Sequence, residues 1–185
     1  MNLYFRVLIA LLSNWFRPRI SYRDVLVSRH RVWPSDVDLF GHMNNGRYLQ
    51  VMDVSRSAWM LRAGVARAML RNRWSAVIGG AVVRFRRTLK PLQTYRLETR
   101  LLSWDERWWF LQHRFIDEEG RSVAMAIARC ALRDRDGWVD TKQVLRAVSP
   151  DAIPPVPPEF AVHWQASEDA MWQMGCRSVS GSADA

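Results

Sequence analysis

Fifteen consecutive residues, Ser35 to Leu49 (SDVDLFGHMNNGRYL), hold two carboxylates, one of the chain's four histidines, two glycines and an Asn-Asn pair. Each residue type has a chemical use. A carboxylate can take a proton from water or attack an electrophilic carbon, and an imidazole can move a proton near neutral pH. Unpaired N–H groups at a helix start can hold a developing negative charge. The same residues also suit a structural turn, with Asn44 as a helix N-cap by type and position. The stretch is a capped turn, an active site, or an active site built on a capped turn.

The surrounding elements must position these groups. Upstream, Leu26–Trp33 (LVSRHRVW) alternates, with Leu26, Ser28, His30 and Val32 on one side and Val27, Arg29, Arg31 and Trp33 on the other, which predicts a strand stopped by Pro34. Downstream, Tyr48, Val51, Met52, Ser55 and Trp59 recur at helical spacing, which predicts one long helix ending near Gly64. From Ser75 the period changes to two over four runs, starting at Ser75, Thr94, Arg107 and Arg121. Lys90-Pro91, Asp105-Glu106 and Glu119-Gly120 lie between them as turn signals. A strand, a long helix and four strands predict an α+β fold in which a five-stranded antiparallel sheet wraps the helix. The expected organisation is an apolar helical segment over 1–23, the domain over 24–148, and a proline-rich exit with a flexible tail over 149–185.

The apolar run from Leu3 to Phe16 is broken by Arg6 and is shorter than the ~20 residues that a spanning helix needs. It lacks a charged start and a small-residue cleavage site, so it does not read as a secretory signal. Two readings stay open: a helix docked on the domain, or an interfacial membrane anchor with tryptophan and arginine at its edge.

The 185 residues carry a formal charge of +9, and of 27 Lys plus Arg only Lys90 and Lys142 are lysine. The arginines are scattered rather than gathered in a run, which argues against nucleic acid and suits anionic small molecules or an anionic membrane surface. Cys130 and Cys176 sit in unlike contexts, so a disulfide framework is not expected. A reducing, cytoplasmic setting follows, with membrane association if the N-terminal segment anchors. His30, His42, His113 and His163 are mutually distant in sequence, and no metal site or cofactor is expected.

With strand, loop, helix and meander in this order, the chain over about Val25 to Asp134 resembles the hotdog-fold thioesterases of the 4-hydroxybenzoyl-CoA and acyl-CoA thioesterase type. The carrying motif is D-x-D-x-x-G-H-x-N-N-x-x-Y: Asp36, Asp38, Gly41, His42, Asn44, Asn45 and Tyr48. It is also similar to the corresponding loop of plant acyl-ACP thioesterases. A second match is VVRFRRTLKPLQTYRLETRL, from Val82 to Leu101. The resemblance implies hydrolysis of an acyl-CoA in lipid metabolism by a homodimer or dimer of dimers. Asp38 would serve as base or nucleophile, and His42 as an active-site imidazole or a loop-holding one. The helix start at Asn45 and Gly46 would hold the oxyanion, with Tyr48 and Arg86 on the substrate side and Arg84 or Arg87 as further phosphate partners. Asp36 would hydrogen-bond the turn. Phe40 stands where the acyl-ACP enzymes carry asparagine, and Trp74 to Gly80 offers no second acid or cysteine, so the single-carboxylate version is implied.

Rival readings are a hotdog dehydratase or hydratase, in which Asp53 on the helix would face the cavity, and a membrane-associated thioesterase-like binding protein with little turnover. A Cys130–His113 pair on neighbouring strands is a further nucleophile candidate, although a lone cysteine in AIARCAL reads as core. In the Trp-rich WDERWWF, Trp108 and Phe110 should share one face and Trp109 the other.

Overall fold

The computed structural model describes residues 3–149, 152–153, 155–156 and 159–180. In chain order the elements are helix α1 (Leu3–Trp15), strand β1 (Leu26–Arg31), a short 3₁₀ turn (Pro34–Asp36), α2 (Asn45–Arg62), α3 (Val65–Asn72), β2 (Ser75–Phe85), β3 (Thr94–Trp104), β4 (Trp109–Ile116), β5 (Ser122–Arg133), β6 (Trp138–Val139), α4 (Thr141–Val148) and α5 (Glu159–Ser180). The strands run β1-β3-β4-β5-β2, every pairing antiparallel, and the two-residue β6 adds to β5. Helix α2 lies against this sheet, so the expected hotdog arrangement is present, extended by one very short strand.

The predicted stripe Tyr48, Val51, Met52, Ser55 and Trp59 is buried throughout. Val54, Ala58 and Leu61 are buried as well, and α1 lies against the same helix. The side that faces the sheet meets two apolar clusters. Tyr48 and Met52 join Leu97, Phe115 and Val123 in one, while Trp59 joins Trp104, Trp109 and Leu111 in the other. Fully burying a side chain of this size stabilises by about 1.5–3 kcal/mol, and this packing fixes the helix that the Ser35–Asn44 loop leads into. In β1, Leu26 and Val32 are buried and Val27, Arg29, Arg31 and Trp33 exposed, as the alternation predicts.

Four features depart from the sequence reading. Gly64, read as a helix end, also caps α3 at φ +87°, where a left-handed backbone suits glycine. Trp109 and Phe110 are both buried at the start of β4, where the register of β3 against β4 slips between Leu101 and Ser103. Trp108 lies outside the strand with its ring over Gly79, at the bulge between Ile78 and Gly80 in β2. A Cβ at Gly79 would stand 2.4 Å from that ring. Finally, residues 159–180, expected in a flexible tail, form α5 in a second compact unit (155–185); residues 181–185 lie outside the described residues.

Strand β2 is a free edge of the sheet and has no buried residue; Ile78, Val82 and Phe85 are all more than two-fifths exposed. Strand β1 closes the other edge, and three of its six residues, Arg29, His30 and Arg31, are arginine or histidine.

Candidate active site

The stretch after β1 folds into a small hairpin closed by a bridge between Val37 and Met43. Asp38 N–H donates to His42 O at 2.9 Å and Gly41 N–H to Asp38 O at 3.1 Å, with Gly41 at φ +78° turning the chain. Met43 N–H donates to Leu89 O at 2.9 Å, which pins the hairpin to the β2–β3 connection. Leu39 and Phe40 form the tip, and both side chains stand almost wholly in solvent.

The two carboxylates have separate fates. Asp36 is buried, with Oδ2 accepting from Trp33 N–H at 3.0 Å, its carbonyl accepting from Asn44 N–H at 2.8 Å, and Arg47 Nε 3.7 Å from Oδ1. It holds the turn together. Asp38 is half-buried, and its Oδ1 accepts from Phe40 N–H at 2.9 Å. That bond fixes the carboxylate plane, while Oδ2 has no hydrogen bond to any described residue. His42 is half-buried too, and among the described residues its ring makes no hydrogen bond, so the imidazole does not hold the loop.

Helix α2 begins where the hairpin ends. Asn44 caps it, Oδ1 accepting from Gly46 N–H at 2.9 Å. A Cβ on residue 46 would lie 3.1 Å from that oxygen, so glycine permits the tight cap. The cap engages the Gly46 N–H and leaves the Asn45 N–H without a hydrogen bond among the described residues, at the positive end of the helix. A carboxylate edge, an imidazole and a helix-start donor therefore share one short surface segment. This set can activate or replace water as a nucleophile and stabilise an oxyanion.

Other expected residues lie elsewhere. Tyr48, expected on the substrate side, is buried against Phe85 and Phe115, with ring centroids 5.1 and 4.9 Å away. Burial pushes its hydroxyl up to about 12 against an opposing hydrogen bond to the Leu89 backbone. Its place on the buried stripe of α2 dictates this. Arg86 is exposed just beyond β2 and, with Arg84, Ser122 and Met125, lines a separate shallow cleft of about 170 Å³. Asp53 lies on the solvent side of α2, with Oδ1 2.6 Å from Arg56 Nη2, and does not line the cavity under the helix. Cys130 and His113 do not face each other, since Cys130 pairs with Trp109 and His113 with Ala126. Cys130 instead lines a cavity of about 180 Å³ between α2 and the sheet, with Arg56, Met60, Ile78 and Trp109, and burial raises its thiol pKa.

One polar feature was not legible in the sequence. Ser55 Oγ lies 2.7 Å from Thr99 Oγ1, which lies 2.9 Å from His113 Nδ1, and all three residues are buried. Among the described residues His113 Nε2 has no hydrogen-bond partner. A proton on Nδ1 leaves only a lone pair unpaired at Nε2, the less costly choice. Burial, assisted by the positive charge of Arg56, lowers the imidazole pKa to about 3. The chain is a neutral structural tie between α2, β3 and β4.

Comparison with known proteins gives this geometry a family. The model of the thioesterase-like superfamily matches residues 32–163. The THEM6 protein of Xenopus laevis is 33% identical over 153 residues, covering 81% of this chain and 71% of that protein. The chain spans about half the length of several further curated relatives that it matches. Among solved structures, a probable thioesterase of Escherichia coli, YbaW, superposes with TM-score 0.62 at 19% identity, covering 66% of this chain and 94% of that one. A gentisyl-coenzyme A thioesterase does so with TM-score 0.59 at 19% identity, covering 65% and 99%. Because the matched span takes in the hairpin, α2 and the whole β2–β5 meander, the chain belongs to the thioesterase-like superfamily and carries its hotdog fold.

Proposed function

We propose that the chain hydrolyses an acyl-CoA to the free acid and CoA, using the Asp38 carboxylate as base or nucleophile and the Asn45 N–H as oxyanion donor. The observation that carries this reading is the set of Asp38 at a fixed hairpin, one oxygen held by Phe40 N–H and the other unengaged, directly ahead of the α2 start. As a base, Asp38 removes a proton from water as its oxygen bonds to the thioester carbon, and the C–S bond then breaks with CoA leaving as thiolate. As a nucleophile, Asp38 forms a mixed anhydride that water opens. His42, half-buried on the same hairpin, would be the acid that protonates the leaving thiolate. Gly46 keeps the helix start open to the thioester, and Arg86 offers a guanidinium to the phosphates. A coenzyme A thioester is the substrate of one protein that shares this fold. The dehydratase reading loses support because Asp53 is engaged by Arg56 on the solvent side.

The test is thiol release from a panel of acyl-CoA esters of differing chain length and head group, followed with a thiol reagent. Release from at least one member is expected. A folded chain inert on all of them overturns the hydrolase reading and favours a binding protein.

The same reading includes a homodimer. An apolar, eleven-residue free edge such as β2 is an aggregation hazard unless paired, and pairing it with a second copy would continue the sheet across both subunits. Sedimentation velocity at micromolar concentration should give a dimer or dimer of dimers; a monomer would count against this assembly. Peripheral membrane contact through α1 is also part of it. Phe5, Leu8, Ile9, Leu12 and Trp15 are all about half exposed or more, and among the described residues no helix is long and apolar enough to cross a membrane. A short helix of this kind suits the interface plane.

A further inference from the structure

We infer that the cleft between the chain leaving α1, α3 and the end of α4 is an anion site that seats the phosphate of an anionic phospholipid head group. This rests on the reading of α1 as a membrane-contacting helix and adds the polar half of that contact.

The cleft, of about 240 Å³, is lined by Arg19, Arg67 and Arg71 together with Gly64, Ala68, Ala147 and Val148. Arg67 and Arg71 are four residues apart on α3, so they project from one face, and like charges at that spacing repel. Arg19 brings a third positive charge to the same place. Among the described residues none of the three forms an ion pair with a carboxylate, and none donates to a carbonyl at the end of α4. Three arginines lining one cleft with no carboxylate partner among the described residues suit a phosphate oxygen set, each able to donate in a forked geometry.

The source of the phosphate follows from what adjoins the cleft. The Arg67 guanidinium lies 5.7 Å from the Trp15 ring centroid, at the end of α1. Trp15 is the last residue of the helix that carries the exposed Phe5, Leu8, Ile9 and Leu12. Apolar side chains with a tryptophan at the boundary and arginines beyond it match the layering of a bilayer surface: acyl chains, interface, phosphates. The helix contains no acidic residue, and the whole chain is strongly basic, so no repulsion opposes approach to an anionic surface.

The test uses the full chain and vesicle partitioning. Parent protein is compared on vesicles of phosphatidylcholine with phosphatidylglycerol and on phosphatidylcholine alone. Three variants run beside it: Arg19→Gln/Arg67→Gln/Arg71→Gln, a charge control Arg29→Gln/Arg31→Gln/Arg135→Gln, and Leu8→Gln/Leu12→Gln. Circular dichroism melts establish that each is folded. An arginine close to an anionic surface is worth roughly fivefold in partitioning, so the cleft variant should lose on the order of a hundredfold on phosphatidylglycerol vesicles, and the control far less. Equal losses in the two arginine variants overturn the site and leave diffuse charge. Loss in the Leu8/Leu12 variant with an unchanged cleft variant keeps the α1 contact and overturns the site. Arginine-dependent binding of glycerol phosphate in solution, without vesicle binding by the parent, overturns the lipid assignment and the α1 reading together. Acyl-CoA thiol release in solution is measured on every variant, so a failure of the hydrolase reading is seen separately.

Discussion

Asp38→Asn should fold and assemble like the parent and release thiol from acyl-CoA roughly 10²–10⁴-fold more slowly, or slower still if Asp38 is the nucleophile. Asparagine keeps the Oδ1 acceptor that takes the Phe40 N–H, so the hairpin geometry survives while the charge is lost. Asp36→Asn should reduce turnover much less, although it disturbs bonds that close the turn. Steady-state kcat for both variants, with melts as a folding check, is the measurement. After single-turnover hydrolysis in ¹⁸O-water, label in the Asp38 carboxylate would establish the nucleophile role, because water that opens the anhydride at the Asp38 carbonyl leaves its oxygen there. An Asp38→Asn variant near parent activity, with Asp53→Asn inactive, would move the chemistry to the helix and revive the dehydratase-like geometry.

The second large effect concerns acid. His113 is buried and neutral, with a folded pKa of about 3, whereas an unfolded histidine titrates near 6.5. Between those values the unfolded chain binds a proton that the folded chain refuses, so the unfolded state gains as pH falls. The contribution is complete above pH ~6.5 and declines by up to about 1.4 kcal/mol per pH unit below it, several kcal/mol in all by pH ~3. Carboxylate protonation acts mainly below pH ~4, so the upper part of the window belongs to His113. Urea unfolding from about pH 7 to about pH 4 should show this decline in the parent. His113→Gln, which can still bond to Thr99 but cannot ionise, should flatten it. Parallel pH profiles for the two proteins would mean that His113 is not the group responsible.

Much of the architecture was legible because it rests on local periodicity. The stripe from Tyr48 to Trp59 and the alternation of β1 are one-dimensional signals, and each is set by one buried face. What escaped is set by neighbours distant in sequence or by very short segments. Helix α3 starts at the glycine that ends α2, and β6 has only two residues, too few to show a period. In the site, the Asn44 cap and the structural role of Asp36 follow from residue type and spacing. The burial of Tyr48 was legible from its own stripe, whereas its expected substrate role came from the family motif alone. The Ser55–Thr99–His113 tie and the arginine cleft depend on register and on helix packing, so no window of the sequence holds either one.

The indole of Trp108 lying over Gly79 also bears on how this sequence can change over time. Any side chain at position 79 collides with the ring, and a smaller residue at 108 leaves the glycine backbone uncovered at a strand bulge. Neither position can drift alone. The two should be inherited as a couple, and a lineage that places a side chain at 79 should carry a compensating smaller residue at 108.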